Sequence, residues 1–187
     1  MEDIYEYPLK QHLGEQVVPV VVDGDSVNRG QLVAFQRENT LGANLYSSVK
    51  GVVTKVTEQS IFIKAVGEQT ADYEPLKGSE PLELIREAGL VGLGGAGFPT
   101  YAKLSKPFEH GGTVIINAAE CEPILSHNIE RIRQKPEQLL RGLRIAMDVV
   151  HATKGVIAIK EKHTEAVKAL KEANQDPDIS LTLLEDM

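Results

Sequence analysis

Two short stretches of this chain carry residue types suited to cofactor chemistry. The first is Gly92-Leu93-Gly94-Gly95-Ala96-Gly97-Phe98-Pro99-Thr100, with Lys103 about one helical turn further on. Glycine accepts positive φ and lets a ligand approach the main chain closely. Where such a loop runs into a helix start, here at Pro99-Thr100, N–H groups and the helix dipole favour an anion. The second stretch, Asn117-Ala118-Ala119-Glu120-Cys121-Glu122-Pro123, follows a β-like run and offers an amide and two carboxylates to hydroxyl and ring N–H groups. Together they suggest a nucleotide or flavin whose phosphate is held by main chain and whose ring system is read by polar groups. Each feature also has a plainer reading. The glycines can form a tight loop packing helix to sheet, Lys103 can be a solvated helix lysine, and Glu122-Pro123 can be a simple turn.

Other reactive side chains point to no further chemistry. Cys121 is the one cysteine, so neither an intramolecular disulfide nor a Cys-x-x-Cys motif is possible. It lies between two glutamates, whose charge disfavours the thiolate, and reads as a small buried filler. His12, His110, His127, His151 and His163 lack the spacing of a metal site.

The elements that position these residues fall into two regions. Residues 10–66 read as β, with strand-like runs at 17–22, 31–35, 52–56 and 60–64 and turns at Asp23-Gly24-Asp25, Asn28-Arg29-Gly30 and 57–59. Strands this short and close suggest a compact sandwich or barrel. Residues 65–78 read as the linker. From about residue 80 a helix begins, with Ser79 as candidate N-cap, Pro81 in the first turn and Gly89 as the stop. There follow a strand at 113–117, a helix at 138–150, a strand at 155–159, a helix at 164–173 and a strand at 179–184, the pattern of a right-handed parallel α/β sheet. Ligands of such sheets bind beyond the carboxyl ends of the strands, and the chain ends just there, so a truncated domain is expected.

Composition sets the outer bounds. The chain has 187 residues, 42% apolar, which suffices for a small domain joined to a medium one. Its net charge of −7 argues against a nucleic-acid partner, which needs a basic stripe to displace counterions. No apolar run nears the roughly 20 residues of a bilayer span, and the acidic Met1-Glu2-Asp3 start is unlike a signal peptide. The expected location is the cytoplasm, either free or at the inner face of the cytoplasmic membrane through partner subunits.

Residues 92–100 with Lys103, and then residues 116–123, resemble the C subunit of the Rnf electron-transport complex and its relatives, among them the electron-transfer protein associated with proline reductase. More distantly they resemble the flavin- and NADH-binding subunit of respiratory complex I. The N-terminal part agrees through Gln11-His12-Leu13-Gly14, the segment from Asp23 to Leu32, and Ser47-Ser48-Val49-Lys50-Gly51-Val52-Val53. That part is similar to the barrel-sandwich, lipoyl-like module of Rnf C subunits. Three positions depart from the complex I pattern: Leu93 stands where arginine is usual, Ala119 where aspartate is, and Leu104 where an aromatic is.

The resemblance implies an α/β protein: a barrel-sandwich (lipoyl-like) β module over residues 1–70, then an incomplete, Rossmann-like parallel α/β flavin-binding domain over 71–187. It implies that backbone around Gly92, Gly94, Gly95, Ala96 and Gly97 lines FMN, with Lys103 near flavin and nicotinamide. Phe98 would stack near the adenine of NADH, and Asn117, Glu120 and Glu122 would bind flavin polar groups or the incoming nucleotide. Hydride would pass from NADH to FMN and electrons onward to 4Fe-4S clusters, whose cysteine ligands this chain lacks. No catalytic acid or base is expected, because the cofactor carries the chemistry. The isolated chain is expected to be inactive, its partners being NADH and other subunits of a redox complex or a soluble reductase. Between Leu32 and Ser47 there is no lysine to carry a lipoyl group, so the β module reads as an unmodified scaffold. A non-catalytic docking module within a redox complex is the alternative reading.

Overall fold

A computed structural model describes residues 3–93, 95–120 and 125–185. They divide into two compact units, Met1–Lys103 and Leu104–Met187. Gly94, Cys121, Glu122, Pro123 and Ile124 lie outside the described residues.

The first unit contains β1 (Ile4–Pro8), β2 (Val18–Pro19), β3 (Ser26–Val27), β4 (Leu32–Phe35), β5 (Leu45–Tyr46), β6 (Gly51–Val56) and β7 (Ser60–Ala65), followed by α1 (Pro81–Glu87) and α2 (Thr100–Leu104), whose last residue falls at the unit boundary. Its strands form two antiparallel sheets, ordered β1-β7-β6-β3 and β2-β4-β5. Alternation along β6 and β7 turns Val53, Ile61 and Ile63 inward, where they meet Leu9, Val17, Val27 and Val33 in one apolar core. A bulge between Val53 and Lys55 breaks the register of β6 on β7. The expected strand at 17–22 shrinks to Val18–Pro19, because Pro19 has no N–H to give the ladder. β1, outside the span read as β, pairs with a partner more than fifty residues away, which no local pattern could announce.

The segment read as a linker is tied to this unit. Glu74 N–H donates to the Arg29 carbonyl (3.0 Å), and the Arg29 guanidinium donates to the Thr70 carbonyl (2.9 Å). Helix α1 starts at Pro81 with Glu80 as N-cap and no side-chain capping bond, so Ser79 is not the cap expected of it. Proline at the first helical position lacks an N–H in any case. Gly89 ends α1 at φ +62°, and a Cβ there would sit 2.1 Å from the Asn44 carbonyl oxygen. Asn44 Nδ2 and the Tyr46 hydroxyl both donate to the Glu87 carbonyl (3.2 and 2.6 Å), satisfying the end of the helix.

The second unit holds β8 (Thr113–Ala118), α3 (His127–Gln134), α4 (Pro136–Val149), β9 (Lys154–Lys160), α5 (Thr164–Ala173) and β10 (Ile179–Leu184). The sheet is parallel throughout, in the order β10-β9-β8. Because the strands advance in one direction, right-handed crossovers place their helices on one face. Ile157 and Ile159 of β9 bury against Leu143, Met147, Val167 and Leu170 from that face. Gly155 allows the approach, since a Cβ there would lie 2.7 Å from the Met147 sulfur. On the opposite face Ile115 is 64% exposed. The order never reverses, so these strands contain no switch point of the doubly wound kind.

Arg144 of α4 clamps the turn that leads into β10. Its guanidinium donates to Asp176 (2.5 Å at the closest) and reaches Asp178 at 3.4 Å. The hydrogen bond from Arg144, helped by the Asp178 backbone N–H, holds the Asp176 carboxyl below the usual carboxylate range. A depressed folded-state pKa means that this stabilisation is present at neutral pH, above the unfolded value, and lost as pH falls through the folded one. Asp176→Asn is therefore expected to lower the melting temperature at pH 7 and to flatten its decline toward acid, as followed by circular dichroism. An unchanged acid slope would remove this pair from the pH response. No helix among the described residues is long and apolar enough to cross a membrane.

Candidate functional site

The glycine segment forms a closed loop in the first unit. An isolated antiparallel bridge joins Val91 to Pro99, with Gly92 N–H donating to the Phe98 carbonyl (3.0 Å) and Thr100 N–H to the Leu90 carbonyl (2.8 Å). The Gly92 amide is thus used to shut the loop and is not free for a ligand. At the tip Leu93, Gly95 and Ala96 are exposed, and their N–H groups find no acceptor among the described residues. Leu93 is 92% exposed.

The glycines differ in what they are needed for. Gly97 is buried at φ +65°, and a Cβ would meet the Gln11 carbonyl oxygen at 2.8 Å and His12 Cα at 2.9 Å. Leu13 N–H also donates to the Gly97 carbonyl (3.2 Å). The Gln11-His12-Leu13 segment and the loop therefore pack backbone to backbone, so the packing reading accounts for Gly97. His12, itself buried, accepts the Ala43 N–H at Nε2 (3.2 Å) and so keeps the next turn in place. Gly95 is the opposite case. It has no positive φ, and nothing among the described residues lies within 4 Å of a Cβ built there. Among the described residues no close neighbour calls for glycine at 95.

Behind the loop, α2 is only five residues long. A helix this short has little dipole of its own. Tyr101 fixes this helix: its hydroxyl accepts from Gln36 Nε2 (2.8 Å), and the Arg86 guanidinium lies 5.3 Å from its ring centroid. Phe98 is half-buried, and Lys103 is exposed in the last turn of α2, where a cation also suits the helix end.

The polar group of the second unit gathers where β8 ends. Asn117 Oδ1 accepts the Ala119 N–H (3.0 Å), turning the chain off the strand. Glu120 is half-buried and accepts from Asn128 Nδ2 of α3 at 3.0 Å, which aims its carboxylate. A cavity of about 610 Å³ opens here, lined by residues 116–120, by Asn128, Arg131 and Ile132 of α3, and by Lys135, Gln138 and Leu139. Its size is that of a small-molecule site, at the carboxyl end of a parallel strand. Sequence reasoning missed the α3 residues. Ile129 and Ile132, three apart among charged residues just before Pro136, were the available signal. On the same helix the Arg133 guanidinium, with Gln134, holds the Glu130 carboxyl down to about 2. By contrast, no ion pair or side-chain hydrogen bond engages Arg131 or Lys135 among the described residues.

Comparison with known proteins fits this arrangement. Residues 1–70 match the RnfC barrel sandwich hybrid domain, and residues 85–185 match the Nuo51 FMN-binding domain. The chain is 33% identical over 184 residues to the C subunit of the proton-translocating ferredoxin:NAD(+) oxidoreductase complex of Clostridium ljungdahlii, covering 89% of this chain and 40% of that protein. It is 32% identical over 203 residues to the C subunit of the ion-translocating oxidoreductase complex of Serratia proteamaculans, covering 98% of this chain and 29% of that protein. It is also 32% identical over 184 residues to the C subunit of the Na(+)-translocating ferredoxin:NAD(+) oxidoreductase complex of Acetobacterium woodii, covering 89% of this chain and 41% of that protein. The chain thus spans roughly two fifths or less of the length of these relatives. With the barrel-sandwich domain of Rnf C subunits in front and an FMN-binding domain behind, it belongs to the family of Rnf-type oxidoreductase C subunits.

Proposed function

We propose that this chain is the flavin-binding part of an electron-transfer subunit, holding FMN and taking hydride from NADH. The observation that carries the reading is the match of residues 85–185 to an FMN-binding domain, which spans both the glycine loop and the end of β8. Gly95, for which no neighbour among the described residues calls, supports it as well. The names of the clostridial and acetobacterial relatives pair NAD(+) with ferredoxin, which supports NADH as donor and an iron–sulfur acceptor downstream.

In this reading the amides of Leu93, Gly95 and Ala96 donate to flavin phosphate or ring carbonyl oxygens. The backbone of Gly92 and Gly97 shapes the loop that carries them, and Gly94 would line the flavin with them. Lys103 lends positive charge near flavin and nicotinamide, and Phe98 offers a ring for the adenine. Asn117 Nδ2 and the carboxylates of Glu120 and Glu122 take polar groups of the flavin or the incoming nucleotide. Held here, FMN would supply the redox chemistry, exchanging electrons in pairs with nicotinamide and singly with an iron–sulfur acceptor. The protein's share is position and exclusion of water, so no side chain need act as acid or base. Electrons would pass to 4Fe-4S clusters of the wider subunit, and from there to ferredoxin and a membrane chain or to a soluble reductase such as proline reductase. Residues 1–70 would be the unmodified scaffold and 71–187 the Rossmann-like flavin part. Partner subunits would hold the protein at the inner face of the cytoplasmic membrane.

Titration of FMN with the purified protein, followed by quenching of flavin fluorescence, tests the reading. Saturable quenching at micromolar protein is the expected result. No quenching, even from a chain extended to the full length of the relatives, would favour the docking-module alternative. That alternative draws on Gly97 and Gly89, which packing alone explains.

A further inference from the structure

We propose that Gln36, in the β module, is a positioning residue of the flavin site: through Tyr101 it sets the bearing of α2 and so the place of Lys103. The proposal rests on the flavin reading above, which gives Lys103 its duty. Gln36 follows β4 and is only 9% exposed. A buried amide costs stability unless its donors are used. Its Nε2 donates to the Tyr101 hydroxyl (2.8 Å) and to the Thr40 carbonyl. The Tyr101 hydroxyl also donates to the Thr40 carbonyl (3.4 Å), which closes a ring of three hydrogen bonds. The ring is braced from the β module. Gln36 N–H donates to Asn44 Oδ1 (2.8 Å), and Thr40 N–H and Oγ1 both donate to the Arg37 carbonyl (3.4 and 3.0 Å) across a turn with Asn39 at φ +59°.

Helix α2 depends on such grips. With five residues it cannot sustain itself in water, so its direction follows from what holds it. At the loop exit Thr100 N–H donates to the Leu90 carbonyl (2.8 Å), and Tyr101 is held by the Gln36 amide and the Arg86 guanidinium. Lys103 comes two residues after Tyr101, which on a helix is a rotation of about 200°. Turning Tyr101 inward therefore turns Lys103 outward, and Lys103 is exposed.

The Gln36–Tyr101 bond crosses the division that the family matches draw. Gln36 falls in the stretch matched to the barrel sandwich domain and Tyr101 in the stretch matched to the FMN-binding domain, yet both belong to the compact unit Met1–Lys103. The β module thereby supports the exit of the glycine loop directly. The consequence for the flavin is electrostatic. A cation beside the ring favours its reduced, anionic form over the neutral oxidised form. The affinity for reduced FMN relative to oxidised FMN therefore reports where Lys103 stands, whereas a bond that served folding alone would leave that ratio untouched.

Gln36→Leu and Tyr101→Phe, each made in the whole chain and checked for folding by circular dichroism, test the proposal. Tyr101→Phe keeps the ring beside Arg86 and removes only the hydroxyl. Without flavin, trypsin is expected to cut after Lys103 at least about fivefold faster in both variants than in the parent, because α2 opens more often. With flavin, the midpoint potential of bound FMN should shift negative in both. The shift expected corresponds to a roughly tenfold fall in the reduced-to-oxidised affinity ratio, or ~1.4 kcal/mol. Lys103→Gln should give a similar shift, and adding it to Gln36→Leu should give no more, since both act through one side chain. Unchanged cleavage, an unchanged potential in the two variants, or additive shifts in the double variant would overturn the proposal. Faster cleavage in a chain that binds no FMN would keep Gln36 as the residue that positions Lys103 and count against the flavin reading alone.

Discussion

Replacing Gly95 with valine is expected to weaken FMN binding at least about 100-fold, or ~2.7 kcal/mol, while the melting temperature stays within about 1 °C. A Cβ at 95 meets no described atom within 4 Å, and the backbone there is not in the left-handed region. The folded protein loses nothing it can feel when the side chain arrives. A planar ligand lying against exposed amides at 95 and 96 would instead be pushed off by the new methyl groups. Flavin fluorescence and a thermal melt on the same sample separate the outcomes. Unchanged FMN affinity would take Gly95 out of the site. A fall in melting temperature as large as the loss in binding would make it a structural glycine.

Gly97→Ala is expected to do the reverse. The new Cβ would press on the Gln11 carbonyl oxygen and on His12 Cα, both backbone atoms, in a residue held at φ +65°. Backbone contacts of this kind cannot rotate away, and a left-handed alanine is itself strained, so the cost is roughly 2–5 kcal/mol. For a unit of this size that lowers the melting temperature by on the order of 10 °C or more. The Leu13 bond to the Gly97 carbonyl, and with it the seat of His12, should loosen together. Thermal denaturation without flavin isolates this effect, and a melt equal to that of the parent would mean that residues 11–14 move aside at little cost.

Adjacent glycines of one motif thus have different duties, and only coordinates tell them apart. In sequence Gly92, Gly95 and Gly97 look alike. In the fold Gly92 spends its amide closing the loop, Gly97 lies against the Gln11-His12 backbone, and Gly95 stands open. Asn117 and Glu120 were legible as a polar group after a strand. That Asn128 would aim Glu120, and that Arg131 and Lys135 would share its cavity, was not, because α3 has few apolar residues to betray its period.

Local rules sufficed wherever a segment's own pattern matched its burial. The helix Thr164–Ala173 and the strand Ile179–Leu184 sit where periodicity placed them, because each buries one regular face. The resemblance of the two motifs and the N-terminal segments to Rnf C subunits agrees with the family comparisons. Tertiary structure decided what depends on partners distant in sequence: the pairing of β1 with β7, the attachment of residues 70–74 to Arg29, and the unidirectional order β8-β9-β10 with its helices on one face. Such contacts are made across dozens of residues, and their energy belongs to neither segment alone.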